Sequence, residues 1–592
     1  MLGVKSQAQS ESCDALEVRL TLLMDKVSKE DSRWVKKQLV PKLCAVPEAI
    51  KWIAKVDSMV TVMESNRASA SGEIRDYLHS VQALCAPEKQ NKWGEWHAFS
   101  DRAWSKRKNR KITSRFLSIS PDLISDNTLY VSGNDRWQLD SAKWLLKWDS
   151  AMPLLTFESA DLRASNQHDH FTLLNTSGEW DLRDEDCAIG PSTITWEGTL
   201  FEPGENYARL PASTVDLKGD VLRISSCVMH SELSTRPLMG TLIAKLESIN
   251  GPEEKSYPRF RCADEMVVLQ NIFDQTTYVG GVQFKGSKIH GIRNENDLAK
   301  IQLLQADTTF MEFQGNEFLF SPAGWSCSHS KLMVHYDGDT LTHPDVQSRY
   351  NQKLKQISAY RQDEGLGQQP FRDSYHELEW DVSGILWKLN DTHIRIGSAL
   401  DEGQSLAQFS STNYFEQSSF DAIQGIDPVN PVVEVYRFIK SIGRTGFMSQ
   451  DFARHIRLSE VQARVMLMQL ANLGYVNINP ETLWCQTTPK LREHILCKTG
   501  RKDYDVIRFN SSPIHGVNAE WSMLNGHLQI HGIDAIRLST AKDVILHPAN
   551  GEISVREGRD FIFDGRINAG NIEMSGDELF FDYSDFTIDF NA

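Results

Sequence analysis

Glycine punctuates the last part of this chain, at Gly526, Gly532, Gly551, Gly558, Gly565, Gly570 and Gly576, mostly five to seven residues apart. The runs between them are too short for helices and alternate apolar with polar residues, as in Asp560-Phe-Ile-Phe, Gly565-Arg-Ile-Asn, Asn571-Ile-Glu-Met, Glu578-Leu-Phe-Phe and Phe586-Thr-Ile-Asp-Phe. Period-two alternation places one residue set on each face of a strand. A strand this short cannot bury a face alone and must stack on neighbours, which is the logic of a β-solenoid or β-helix. Tyr278-Val-Gly-Gly-Val-Gln-Phe-Lys-Gly-Ser-Lys-Ile-His-Gly carries the same grammar much earlier, so both blocks read as one solenoid-like body.

Other parts of the chain follow a different period. From Ser12 to about Leu84 apolar residues recur at helical spacing (Leu16, Leu20, Leu23; Ile50, Ile53, Val56, Val60), which predicts a small helical bundle. Trp93, Trp96 and Trp104 follow, and Trp137, Trp144 and Trp148 read as a further helix-like segment, giving a helical N-terminal region over 1–150. From about Leu154 short alternating runs (Phe171-Thr-Leu-Leu, Thr193-Ile-Thr-Trp, Val221-Leu-Arg-Ile, Met266-Val-Val-Leu, Phe310-Met-Glu-Phe) point to an all-β sandwich, barrel or solenoid, and the grammar shared with the C-terminal block favours a β-rich, solenoid-like block over 151–420. Residues 421–500 return to helix. Pro431 to Ile442 is amphipathic, Ser449 reads as the N-cap of a second helix, Ser459 with Gln462 forms a capping box for a third, and Gly474 ends it. Tyr475-Val-Asn-Ile-Asn, a Pro480-Glu481 turn and Thr482-Leu-Trp-Cys-Gln then make two strands, so this part resembles a winged helix inserted into the β body. Residues 501–592 form the C-terminal solenoid-like block. The expected class is mainly β with α.

A chain of 592 residues exceeds what one core supports, so three or four structural units are expected. Its net charge of −16 repels nucleic acid and anionic lipid at long range, leaving only local basic patches as docking points. No stretch approaches the roughly 18 to 20 apolar residues of a membrane-spanning helix. The nine cysteines are scattered, with no CxxC pair, so neither a zinc ribbon nor a disulfide framework is expected and most read as small buried residues. Ser6-Gln7-Ala8 has the small-x-small form of a signal-peptidase site without the apolar segment before it, which leaves an ordinary N-terminus and the tail of a secretory signal as alternative readings.

Among candidate sites, Lys106, Arg107, Lys108, Arg110 and Lys111 lie in a run free of acids that suits an anionic docking partner; a solvated loop is the plainer reading. A winged helix suggests DNA binding, but from Glu460 to Leu473 Arg464 is the lone cation, with Arg454, His455 and Arg457 just before it. A structural or protein-docking role fits that charge better. His168-Asp169-His170 puts two imidazoles on one face if it is a strand, and His329, His335 and His343 match no metal motif. Asp582, Asp585 and Asp589 lack the glycine alternation of calcium loops and read as solubilising charge. No nucleophile elbow, phosphate-binding glycine loop or paired zinc helix is present, so no catalytic residue, metal or cofactor is assigned.

Asp503 to Ser511, the winged-helix-like insertion before it, Arg372-Asp-Ser-Tyr-His-Glu-Leu-Glu, and Arg559-Asp-Phe-Ile-Phe-Asp-Gly-Arg-Ile-Asn-Ala-Gly together resemble large, uncharacterised exported β-solenoid-like proteins of Bacteroidota. The resemblance covers most of the chain after about Leu154. It implies architecture and an envelope location, periplasmic or at the outer-membrane periphery, with a cytoplasmic location as the alternative, and it implies no activity. Such proteins run longer, which gives the expectation of an unpaired terminal edge here. Three functions follow as expectations: a non-enzymatic envelope scaffold or binding protein with helical docking modules and a protein partner; an open groove shielding lipid or glycan, lined by Phe561, Phe563, Leu579, Phe581, Phe586, Ile588 and Phe590; or a polysaccharide-active β-helix enzyme.

Overall fold

The computed structural model describes residues 7–590 apart from 105–109, 142, 150–151, 185, 201, 203, 220, 235, 249–250, 306–307, 398–405, 426, 480–481, 503, 505, 513–515 and 540–541. The chain is mainly β, with antiparallel sheet throughout its large β regions and helices at the N-terminus. It divides into two compact units, one of 1–264 with 283–289 and one of 265–282 with 290–592.

In the first unit the N-terminal apolar spacing does build helices, including Gln7–Asp25, Ala49–Ser65, Arg75–Leu84, Trp93–Trp104 and Arg110–Asp126. They bury Leu16, Leu20, Val56, Val60, Leu78, Trp93, Trp96 and Phe116. His97 is enclosed in this core, stacked with Trp52 and Trp93 and met edge-on by Tyr77 and Trp96. Burial drives its imidazole down to about 4. Two expectations change. Cys13 and Cys44 form a disulfide joining the first helix to the short helical segments after it, while the other seven cysteines are buried thiols outside any disulfide. The helices stop at Asp126, and Trp137, Trp144 and Trp148 lie on the strands Asp135–Leu139 and Trp144–Asp149. A spacing of four residues satisfies both a helix and a strand, and burial of Trp144 and Leu146 between exposed Leu145 and Lys147 shows the period of two that decides it. Paired strands then continue, the longest hairpin joining Met152–Ser165 to His170–Asp181.

The second unit is organised as two antiparallel ladders. The strand Asp339–Asn351 feeds both: Leu341 and Thr342 pair with Phe371–Asp373, whereas Val346 to Asn351 pair with Gln356–Arg361. One wall continues through Leu378–Asp381, Ala407–Ser411 and Arg508–Ser511. The other runs through Gly384–Lys388, His393–Ile396, Ala519–Ser522, Leu528–Ile530 and Ile553–Val555. Alternation gives each wall one apolar face, and those faces meet. Trp380 of the first wall is edge-to-face with Trp521 of the second, ring centroids 5.9 Å apart, and Phe509 reaches Phe561. All four are fully buried. At these contacts the space between the walls is filled by buried side chains.

A helical insertion leaves the first wall after Ser411 and returns at Arg508, and these flanking strands pair directly, Ser410 with Arg508 and Ala407 with Ser511. The wall is thus continuous without it. The insertion holds Pro431–Ile442, Ser449–Ile456 and Glu460–Asn472, a small sheet of Gly446–Met448, Trp484–Thr487 and Val476–Ile478, and a last helix, Pro489–Lys498. The Ser459–Gln462 capping box is formed, and Gly474 takes the left-handed conformation that ends the third helix. Ser449 is the first residue of its helix, and Met448 caps it. The Pro480-Glu481 turn lies outside the described residues.

Candidate functional site

The insertion has its own core, including Val432, Val435, Phe438, Phe447, Phe452 and Leu467, and it is fastened to the first wall. The fastening is specific. Leu366, on the loop entering that wall, packs against the insertion core, and Gly365 lies beside the Met468 methyl of the third helix. The Gln369 amide donates to the Ala471 carbonyl at 2.6 Å. Gln369 is held in turn by His343, whose Nε2 donates to the Gln369 carbonyl at 2.7 Å while Nδ1 accepts from the Asp345 amide at 3.1 Å. That pattern is the neutral imidazole, and burial pushes His343 down to about 4.

A cleft of about 350 Å³ lies beside this contact, between wall and insertion. Lys490 of the last helix pairs with Glu379 of the wall at 2.9 Å, both mostly covered. Tyr475 meets His494 Nδ1 at 2.9 Å, and His494 also bonds the backbone of Tyr414, where the insertion begins. Burial, then the Lys490 charge, lower His494 to about 4. Both nitrogens are engaged, so His494 braces the two elements. The Arg508 guanidinium stacks on Tyr414, 3.9 Å from the ring centre. The seam can hold the insertion in one orientation, and its side chains are spent on that.

The third helix shows what the seam leaves open. Ala463, Leu467, Leu470 and Ala471 face the insertion core. On the opposite side Val461, Val465, Met468 and Asn472, at i, i+4, i+7 and i+11, form one stripe. The wall loop covers its lower half at Met468, and its upper half is exposed, Val461 by 72% and Val465 by 54%.

Compared with protein-family models, curated proteins and solved structures, the chain matches none.

The residues singled out from sequence are dispersed. Lys106, Arg107 and Lys108 lie outside the described residues, as does the Arg110 side chain, while Lys111 is exposed beside Arg115 and Arg183 at an open cleft in the first unit. His168 sits in the bend before its strand, so the two imidazoles do not share a strand face. Asp169 instead makes a buried pair with Lys255 at 2.8 Å, and His170 lies 3.5 Å from Glu197. His329 pairs with Asp345, and Asp582 accepts from the Asp585 amide within its own turn. Among the described residues, no three His, Cys, Asp or Glu side chains gather in metal-binding geometry. Phe561, Phe563, Leu579 and Phe581 are buried, whereas Phe586 and Phe590 are exposed.

One buried polar centre has no single-sequence signal. His376 is fully buried, its Nδ1 2.5 Å from Asp373 and its Nε2 2.7 Å from the Gly526 carbonyl. Next to it Arg559 pairs with Glu377, bonds Tyr583 at 3.0 Å and Ser411 at 3.2 Å, and stacks on the Tyr583 ring. The tight turn between Asp373 and Leu378 is thereby tied through His376 to Gly526, 150 residues on, and through Glu377 to Arg559.

Proposed function

We propose that this chain is a non-enzymatic scaffold of the cell envelope, in which short strands layered along two walls make a rigid body and the helical parts dock a protein partner. The winged-helix-like insertion is read as such a module. The observation that carries this is the seam: the helix that a winged helix would offer to the DNA major groove has half its outer face packed on the β wall. A groove for lipid or glycan is the second reading, and the burial of Phe561, Phe563, Leu579 and Phe581 counts against it. Export, and kinship with the Bacteroidota proteins named above, belong to the same proposal.

Cross-linking mass spectrometry on the full chain in its host tests it. The expected result is a protein partner cross-linked to 415–500 or to the N-terminal helices. A chain that cross-links to no protein, and from which native mass spectrometry releases lipid or glycan, overturns it.

A further inference from the structure

A helix with apolar residues on two opposite faces has two surfaces to cover, and the third helix of the insertion has one and a half covered. We propose that the open half, Val461 and Val465 with Leu458 at the helix entry, binds an acidic amphipathic helix from a partner protein; this rests on the docking role proposed above.

Continuity comes first. Val461 and Val465 extend the stripe whose next members already meet the wall loop within this chain, Met468 by an apolar contact beside Gly365 and Asn472 by a hydrogen bond with Gln368. The exposed part is a surface of the kind that buries aliphatic anchors at i, i+4 and i+7. Leu458 is 39% exposed. Contiguous exposed apolar residues on a folded chain mark interaction sites.

Charge selects the occupant. From Pro431 to Tyr475 the sequence holds six basic residues, Arg437, Lys440, Arg444, Arg454, Arg457 and Arg464, against Glu434, Asp451 and Glu460, within a chain of net charge −16. Arg464 lies three residues after Val461 on the third helix, where i and i+3 are surface neighbours, and Arg457 ends the second helix directly before Leu458, so both border the apolar patch. Arg454 is paired with Asp451, but neither Arg457 nor Arg464 meets a carboxylate among the described residues. Rim cations of this kind steer and orient an acidic partner. Duplex DNA fits poorly because the lower half of the helix is against the wall, and a second acidic copy is repelled at long range.

The test is fluorescence anisotropy on the full chain with a labelled helical peptide of about 16 residues, Leu at i, i+4 and i+7 and Glu elsewhere. Its counterparts are the same peptide with Lys for Glu, one with scrambled Leu positions, and a short duplex. The Glu peptide should bind, slow hydrogen exchange over 458–466, and lose at least about tenfold in affinity with Val461→Glu/Val465→Glu. Arg457→Glu/Arg464→Glu should weaken binding and flatten its salt dependence. Leu354→Glu, at another exposed apolar site of the same unit, should change nothing. Equal or tighter binding of the Lys peptide, the scrambled peptide or the duplex overturns the proposal, as does unchanged affinity in the valine variant. Host cross-links on the insertion without preference for the Glu peptide would sink this partner chemistry while leaving the docking role standing; no cross-linked protein at all would remove both.

Discussion

Acid should loosen the second unit at the seam, because two of its bracing histidines are held neutral. His343 and His494 have folded values near 4 against an ordinary 6.5. A histidine lowered on folding takes up its proton more readily when unfolded, so its contribution is complete above about pH 6.5 and is lost as pH falls toward 4. From those two values each imidazole weakens folding by about 2 kcal/mol at pH 5 and about 3 kcal/mol below pH 4. His343 is the sharper probe, since its Nδ1 accepts from the Asp345 amide and protonation there opposes two donors. His343→Gln keeps a donor toward the Gln369 carbonyl and removes the titration. Native-state hydrogen exchange between pH 7 and pH 5, corrected for intrinsic rates, reads the opening energy of 339–351 and of the third helix. The wild type should lose about 4 kcal/mol across that range and His343→Gln about half as much. An unchanged pH slope in the variant would refute the reasoning.

Other outcomes follow from particular side chains. Trp521→Ala removes a ring packed against Trp380, Tyr336 and His376, and should cost about 3–5 kcal/mol in the second unit by chemical denaturation. Ser459→Ala breaks the capping box and should raise hydrogen exchange in the first turn of the third helix by about 1 kcal/mol. His97→Phe should stabilise the first unit by about 1 kcal/mol and reduce its acid sensitivity near pH 5, since neither ring nitrogen of His97 has a hydrogen-bond partner among the described residues. Cys13→Ser opens a loop with a sequence separation of 31 residues and should lower the first unit's stability by about 3–4 kcal/mol, read as a lower midpoint that reductant reproduces in the wild type.

The elements were legible where their signals are local. Period-two runs became strands, and Pro431–Ile442, the Ser459 capping box and the Gly474 terminus were readable because caps and helical spacing act over a few residues. Trp144 and Trp148 misled because their four-residue spacing fits both periods, and Trp137, seven residues earlier, lies on a separate strand. The seam was legible only in part: Val461, Val465 and Met468 opposite Ala463, Leu467 and Leu470 make a two-faced pattern, which could have announced a helix with two partners.

By itself, then, the sequence determined the alternation of each strand, the three helices of the insertion and an acidic net charge with basic exceptions at Lys106 to Lys111 and in the insertion. Tertiary structure alone decided which strands share a wall, that the two apolar faces close on each other, and that His376 and Arg559 tie distant turns together. The physical reason is that backbone hydrogen bonding and side-chain period are settled among near neighbours. Burial is settled by whichever surface arrives from elsewhere in the chain, and half of one helix face is still waiting for it.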